Sequence, residues 1–291
     1  MTQLLICTDL DRTLLPNGDL NESPLARERF AAVASHPNVT LVYVSGRDLG
    51  LVEQAIKHFS IPIPDWVIGD VGSSLYSFND LAERSGQGDV MNPIGWIHSS
   101  AWQEKIAFDW PGLGSSQIAQ ALSSLDGLVI QEPARQSRYK LSYYLPLGFD
   151  LIALRLEIEA RLKDLGACSS LIYSVDEEAQ LGLLDVLPKR ATKLHAVKFL
   201  MRKLGVPAAN TVFAGDSGND LPVLVSSVPS VLVANAHPEV IREAETSSRL
   251  HNTAEYLYIA KGDFLGMNGN YSAGILEGLA HYHPETIDWI V

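Results

Sequence analysis

The chain has 291 residues, room for one large domain or two modest ones on a prior of roughly 100–200 residues per domain. Hydrophobic residues make up 46% and charged ones 19%, which excludes an intrinsically disordered chain. A net charge of −12 argues against nucleic acid as a partner, because phosphate neutralisation needs clustered Lys and Arg, but it leaves room for a small phosphorylated ligand in one locally positive pocket.

In chain order, Leu4–Thr8 is a short apolar run that reads as a strand buried on both faces, as in a parallel sheet. Ser23 as N-cap and Pro24 at the first helical position predict a helix through Val33. Val39–Val44 reads as a second strand. Asp48 caps a helix whose Leu51, Val52, Ala55, Ile56 and Phe59 form one stripe, and Trp66–Ile68 is a third strand. This β-α-β-α-β rhythm predicts a parallel sheet covered by helices. It breaks after residue 79. Beyond a stretch of poor periodicity, the pattern predicts a helix near Gln117–Leu125 and strands at Leu128–Glu132 and Tyr139–Leu145. A helix near Asp150–Leu165 and strands at Leu171–Val175 and Leu181–Leu187 follow. The expected division is therefore 1–79 core, 80–187 inserted α+β unit and 188–291 core. The second core segment holds a helix from Thr192 to Gly205, strands at Thr211–Ala214 and Ser230–Val233, and a helix near Ala273–Tyr282.

Cys7 and Cys168 are too few for a disulfide framework, Met1–Cys7 lacks a basic leader, and no stretch approaches the ~20 apolar residues of a membrane span. The expected setting is cytoplasmic, with no membrane partner. Trp96, Trp102 and Trp110 are expected in packing, and His281-x-His283 as a helix end that favours cations.

In open α/β sheets, ligands sit beyond the carboxyl ends of the strands. Three predicted strands end in polar residues: Asp9 and Asp11, Ser45-Gly46, and Gly215 through Asp220. Two neighbouring carboxylates raise one another's pKa unless a cation joins them, and Mg²⁺ prefers such hard oxygen ligands. Asp216 and Asp220 are spaced to face one point. Lys193 opens a helix, where a cation opposes the helix dipole, so an anion is expected beside it.

The ordered set Asp9-x-Asp11-x-Thr13, Ser45-Gly46-Arg47, Lys193 and Gly215–Asp220 resembles the four motifs of the haloacid dehalogenase superfamily. The insertion between the second and third motifs resembles that superfamily's cap of the Cof type (cap class IIB). Tyr139–Tyr144, Leu187–Arg190 and Ala273–Glu277 extend the likeness, over nearly the whole chain, to the sucrose-phosphate phosphatases. There are two departures. Leu194 stands where that family commonly has Gly, and Val175–Gly182 is longer than usual.

The resemblance implies an α/β fold, with a Rossmann-like parallel-sheet hydrolase core and a smaller inserted α+β cap. It implies a Mg²⁺-dependent phosphatase with Asp9 as nucleophile and Asp11 as proton carrier. Thr13, Ser45, Gly46, Lys193 and Asn219 would serve the phosphoryl group, and Asp9, Asp11, Asp216, Ser217 and Asp220 the metal. Lys140 and Arg190 would hold the sugar, while Arg47 steadies its loop or reaches the substrate. The implied substrate is a small-molecule sugar phosphate, sucrose 6-phosphate, with association with a sugar-phosphate synthase. Mannosylfructose phosphate or a hexose phosphate is the alternative. A phosphomutase and a non-catalytic sugar-phosphate sensor are more distant readings.

Overall fold

The computed structural model describes residues 3–78, 95–176 and 179–290. The first half of the core runs β1 (Leu4–Thr8), α1 (Ala26–Ala34), β2 (Val39–Val44), α2 (Leu49–Phe59), β3 (Trp66–Gly69), β4 (Ser74–Phe78), β5 (Trp96–His98) and α3 (Ser100–Ala107). There follow α4 (Ser115–Leu122), β6 (Val129–Ile130), β7 (Leu141–Pro146), α5 (Leu151–Asp164), β8 (Ser169–Asp176) and β9 (Leu181–Pro188). The chain then continues with α6 (Lys193–Leu204), β10 (Thr211–Gly215), α7 (Leu221–Leu224), β11 (Ser230–Leu232), α8 (Pro238–Leu250), β12 (Leu257–Ile259) and α9 (Ser272–Tyr282).

The large sheet has the order β12-β11-β10-β1-β2-β3-β4-β5. Its strands are parallel from β12 to β3, and β4 and β5 add antiparallel at one edge. Alternation along β1 divides two cores. Leu5 and Cys7 join Val42, Val44 and Phe213 on one face, while Leu4 and Ile6 join Leu41, Tyr43 and Val212 on the other. Both faces are therefore dry, and the apolar run needs no polar alternation.

Chain order reverses at β1, which lies between β10 and β2 with Thr8 opposite both Ala214 and Tyr43. The residues just after those strands, Asp9, Asp216 and Ser45, are thereby delivered to one crevice. A separate four-stranded antiparallel sheet, β6-β7-β9-β8, carries α4 and α5.

The elements depart from the sequence reading in several places, among them the unanticipated β4 and α7. Ser23 does not cap α1, which starts at Ala26 behind a left-handed Leu25. The Ser23 hydroxyl instead donates to Asn268 Oδ1 and accepts from the Asn268 N–H, both at 2.8 Å. Trp96–His98, expected in the inserted unit, pairs with β4 and extends the large sheet, and α3 follows it onto the core with the Trp102 indole donating to the Gly72 carbonyl. The helix α8 and strand β12 were not anticipated, although Pro238 at the helix start and the stripe of Val240, Ile241 and Ala244 mark α8. Of the expected 80–187 unit, residues 80–94 lie outside the described residues.

The remaining expectations meet concrete packing. Trp96, Trp102 and Trp110 are all buried, in keeping with a packing role. His281 stacks on Tyr258 at 4.4 Å in the last turn of α9. The Ala273–Glu277 tail opens α9, which is buried almost all round. Gly274 and Gly278 press on Val233 and Val231 of the sheet, leaving no space for a Cβ. Glu277 accepts from Tyr258, Lys261 and Gly262.

Candidate active site

The carboxylate of Asp9 is buried at the end of β1. Its Oδ1 accepts the Leu10 N–H at 2.7 Å, and its Oδ2 lies 3.0 Å from Lys193 Nζ. Thr192 caps α6, so Lys193 occupies the first helical position and extends back under the strand ends. There its ammonium also reaches Asp220 Oδ1 at 2.7 Å. The anion expected beside this cation is therefore present twice over. Leu194, which stands beside Lys193, packs against the core. Burial pushes the Asp9 carboxyl well up. Lys193 opposes that shift, and the Asp220 and Asp216 charges add to it. Burial disfavours the Lys193 charge, but Asp220 and Asp9 outweigh it and hold the ammonium above its ordinary value.

Asp216 follows β10. Its Oδ1 accepts the Thr13 hydroxyl at 2.9 Å, and Arg12 Nε stands 3.9 Å from Oδ2. Burial and then the Asp220 charge raise its pKa to about 7. Asp220 uses both its oxygens. One meets Lys193, and the other accepts from the Asp216 and Ser217 N–H groups and the Ser217 hydroxyl at 3.2, 3.1 and 3.0 Å. Gly215 makes this possible, since a Cβ there would collide with the Asp220 carboxyl.

Asp9, Asp216 and Asp220 each bring a carboxylate oxygen within 4.8 Å of the others. Three buried acids against one directly bonded ammonium leave surplus negative charge, and an all-oxygen donor set of this kind fits Mg²⁺. Asp220 carries the most contacts of the three, the Lys193 ammonium and three donors of its own loop, and so fixes that loop, while Asp9 and Asp216 face the pocket as candidate ligands for the ion.

Asp11 is half-exposed. Arg47 grips it in bidentate fashion at 2.7 and 2.6 Å, and the Asn17 amide donates to it at 2.7 Å. Burial raises this carboxyl, but the Arg47 bonds and charge and the Asn17 amide outweigh burial and hold it below its ordinary value. Of the two roles left open for Arg47, the structure displays the tie to Asp11. Ser45 is buried, and its Oγ accepts the Arg47 N–H at 3.2 Å. Thr13, expected at the phosphoryl group, has its hydroxyl engaged by Asp216.

A pocket of about 290 Å³ holds Asp9, Asp11, Asp216, Gly46, Arg47 and Asn219. A cleft of about 710 Å³ between the two sheets adjoins it, with Gly46, Ser217 and Asn219 on the core side and Gln131, Lys140, Tyr144 and Asp185 on the other. Lys140 is buried there, 3.5 Å from Asp70 Oδ1 of the core. Tyr173, Ser174 and Leu183, which flank the long Val175–Gly182 stretch, also line the cleft, while residues 177–178 of that stretch lie outside the described residues. Arg190, expected beside the sugar, lies apart from both cavities. Its guanidinium and N–H both bind Asp109, at 2.6 and 2.7 Å. Asp70, Asp185 and Arg135 were missed; isolated polar residues in loops and strands carry no motif, and only the apposition of the two sheets reveals them.

Comparison with known proteins agrees with this architecture. The family model of sucrose-6F-phosphate phosphohydrolase matches residues 2–283. A protein of Nitrosococcus oceani described only as a HAD-like hydrolase is 46% identical over 99% of this chain and 74% of its own length. The mannosylfructose-phosphate phosphatase of Agrobacterium fabrum is 28% identical over 96% of both chains. The crystal structure of the sucrose-phosphatase from Synechocystis with sucrose and phosphate superposes with a TM-score of 0.70 over 97% of this chain and 98% of that one. At 23% identity it is a likeness of fold.

Proposed function

The chain belongs to the sucrose-6F-phosphate phosphohydrolase family of the haloacid dehalogenase superfamily and is a phosphoric monoester hydrolase, and from that premise we propose that it hydrolyses sucrose 6-phosphate to sucrose and inorganic phosphate through an aspartyl-phosphate. The observation that carries this reading is Asp9. It is an oriented, buried carboxylate between Lys193 and Asp216, lining a pocket that adjoins a cleft whose far wall is polar.

In the proposed first step, Asp9 attacks phosphorus. An Oδ–P bond forms, the P–O bond to the sugar breaks, and Asp11 gives its proton to the departing alkoxide. In the second step Asp11 takes a proton from water, which displaces Asp9 from phosphorus and releases phosphate. The Gly46 N–H, Ser45, Lys193 and Asn219 spread the charge of the transferring group. Asp9, Asp216 and the Asp11 carbonyl would hold Mg²⁺, which when bound neutralises charge between nucleophile and phosphate. Thr13 fixes Asp216, and Asp220 with Ser217 fixes the loop around it. Release of Asp11 from Arg47 is part of this cycle, since the paired form is held ionised.

Lys140 supports recognition of the sugar, being the buried cation of the cleft. A sugar-phosphate synthase is the partner that would supply the substrate. A second reading, mannosylfructose phosphate as substrate, is favoured by the relative that matches 96% of both chains. Phosphate release with Mg²⁺ against sucrose 6-phosphate, mannosylfructose phosphate and hexose phosphates tests both. Sucrose 6-phosphate is expected to have the highest kcat/KM. A tenfold preference for another ester would reassign the substrate.

A further inference from the structure

Arg135 closes a single 3₁₀ turn, Pro133–Arg135, in the connection between β6 and β7. This turn is held on every side. Pro133 fixes its first φ. The Gln136 amide donates to the Gln131 and Ser142 carbonyls at 3.1 and 3.0 Å and accepts the Ser142 N–H at 2.8 Å. The Ser142 hydroxyl, which donates to Asp185 Oδ1, lies 3.2 Å from the Arg135 carbonyl.

The turn places Arg135 in both cavities at once. It lines the cleft with Gln131 and Lys140, and it lines the pocket of Asp9, Asp11 and Asp216, where every other lining residue comes from the core. The other guanidiniums of that pocket face acids, Arg47 on Asp11 at 2.6 Å and Arg12 toward Asp216 at 3.9 Å. Lys193 is divided between Asp9 and Asp220. Among the described residues Arg135 makes no ion pair. The Glu132 carboxylate, which feels its charge, is bound by the Tyr144 hydroxyl at 2.8 Å.

A phosphate dianion entering beside three carboxylates requires a cation that is not already neutralised. A guanidinium fork matches two phosphoryl oxygens, whereas sugar hydroxyls need no such charge. We propose that Arg135 is a phosphate-binding residue carried by the cap, gripping the phosphoryl group of the bound ester and so coupling the fit of the cap to the chemistry at Asp9. This role rests on the phosphatase reading of the Asp9 site.

The test compares p-nitrophenyl phosphate, which has no sugar, with the sugar phosphate that turns over best. Product inhibition by inorganic phosphate is measured alongside. Arg135→Ala and Arg135→Gln are expected to lose roughly 10- to 100-fold in kcat/KM on both esters and to weaken phosphate inhibition by a similar factor, with Arg135→Lys recovering part. The Gln variant keeps the stem, so it decides the matter should the Ala variant fail to fold. Arg138→Ala, in the same loop with its guanidinium over Tyr139 and lining neither cavity, is expected to leave all three readings unchanged. A loss confined to the sugar ester would overturn the proposal in favour of a sugar contact, and no loss on either ester would make Arg135 a bystander. A wild-type protein inert on both esters with Mg²⁺ would instead sink the phosphatase reading, and this role with it.

Discussion

Single side chains at this site are set by what surrounds their charge. Asp9 is desolvated, and burial pushes its carboxyl well up even against Lys193 at 3.0 Å, so the proposed nucleophile is oriented and little hydrated. Asp9→Asn preserves shape and removes the attacking charge. Turnover is expected to fall at least ~10³-fold, with a melting temperature near that of the wild type; near-normal turnover would end the aspartyl-phosphate mechanism. Asp216 carries a pH signature. Without metal, its pKa of about 7 exceeds the value of about 4 in an unfolded chain. The folded state therefore binds more protons between those values, and stability falls as pH rises through that window. A cation held by the carboxylate offsets that loss and competes with the proton. The rise in melting temperature on adding Mg²⁺ should thus be larger at about pH 8 than at about pH 5.5. An equal rise at both would show that Asp216 does not hold the ion.

Elements position these groups through backbone contacts that leave no slack. The turn from β3 to β4 runs through Asp70, Val71 and Gly72, all with positive φ. Gly72, at φ +109°, lies against the start of α6, where an added Cβ would stand 2.6 Å from the Thr192 carbonyl oxygen and 2.7 Å from the Lys193 nitrogen. The tilt of α6, and so the reach of Lys193 to Asp9, depends on that bare surface. Gly72→Ala is expected to cost about 2 kcal/mol or more of stability, from backbone strain and the clash together. It should also reduce kcat about tenfold with little change in KM. Chemical denaturation and steady-state kinetics read the two effects separately, and an unaffected kcat would show that Lys193 is placed by other contacts.

Across the whole molecule, the two sheets meet over the cleft, and Lys140 and Asp70 join them. Both side chains are buried, and burial raises the Asp70 carboxyl against the pull of Lys140. Lys140→Met leaves an uncompensated acid and is expected to cost about 3 kcal/mol, much of it restored by adding Asp70→Asn. If Lys140 also holds the sugar, the double variant stays deficient by roughly 10- to 100-fold on the sugar phosphate while hydrolysing p-nitrophenyl phosphate almost normally. Recovery of both activities in the double variant would confine Lys140 to holding the two sheets together.

Much of the core was legible in the residues alone. Apolar runs such as Leu4–Thr8 and Val39–Val44 permit little but buried parallel strands, and the Asp9, Ser45 and Asp216 motifs at their ends could be expected to converge, because a parallel sheet brings like ends together. The anionic partner of Lys193 followed from its unfavourable place at a helix start. Contacts between segments distant in the chain decided the rest. Ser23 read as a cap until Asn268, 245 residues later, took its hydroxyl. Arg190 and Lys140 were indistinguishable as cations, yet Asp109 ties one away from both cavities while the other, beside Asp70, lines the cleft. Arg135 carries no motif, and its place beside Asp9 comes from a turn held by Gln136 and Ser142. Local periodicity determines which backbone pairs with itself, since that depends on near neighbours; which charge meets which depends on docking two sheets, and only the tertiary structure settles it.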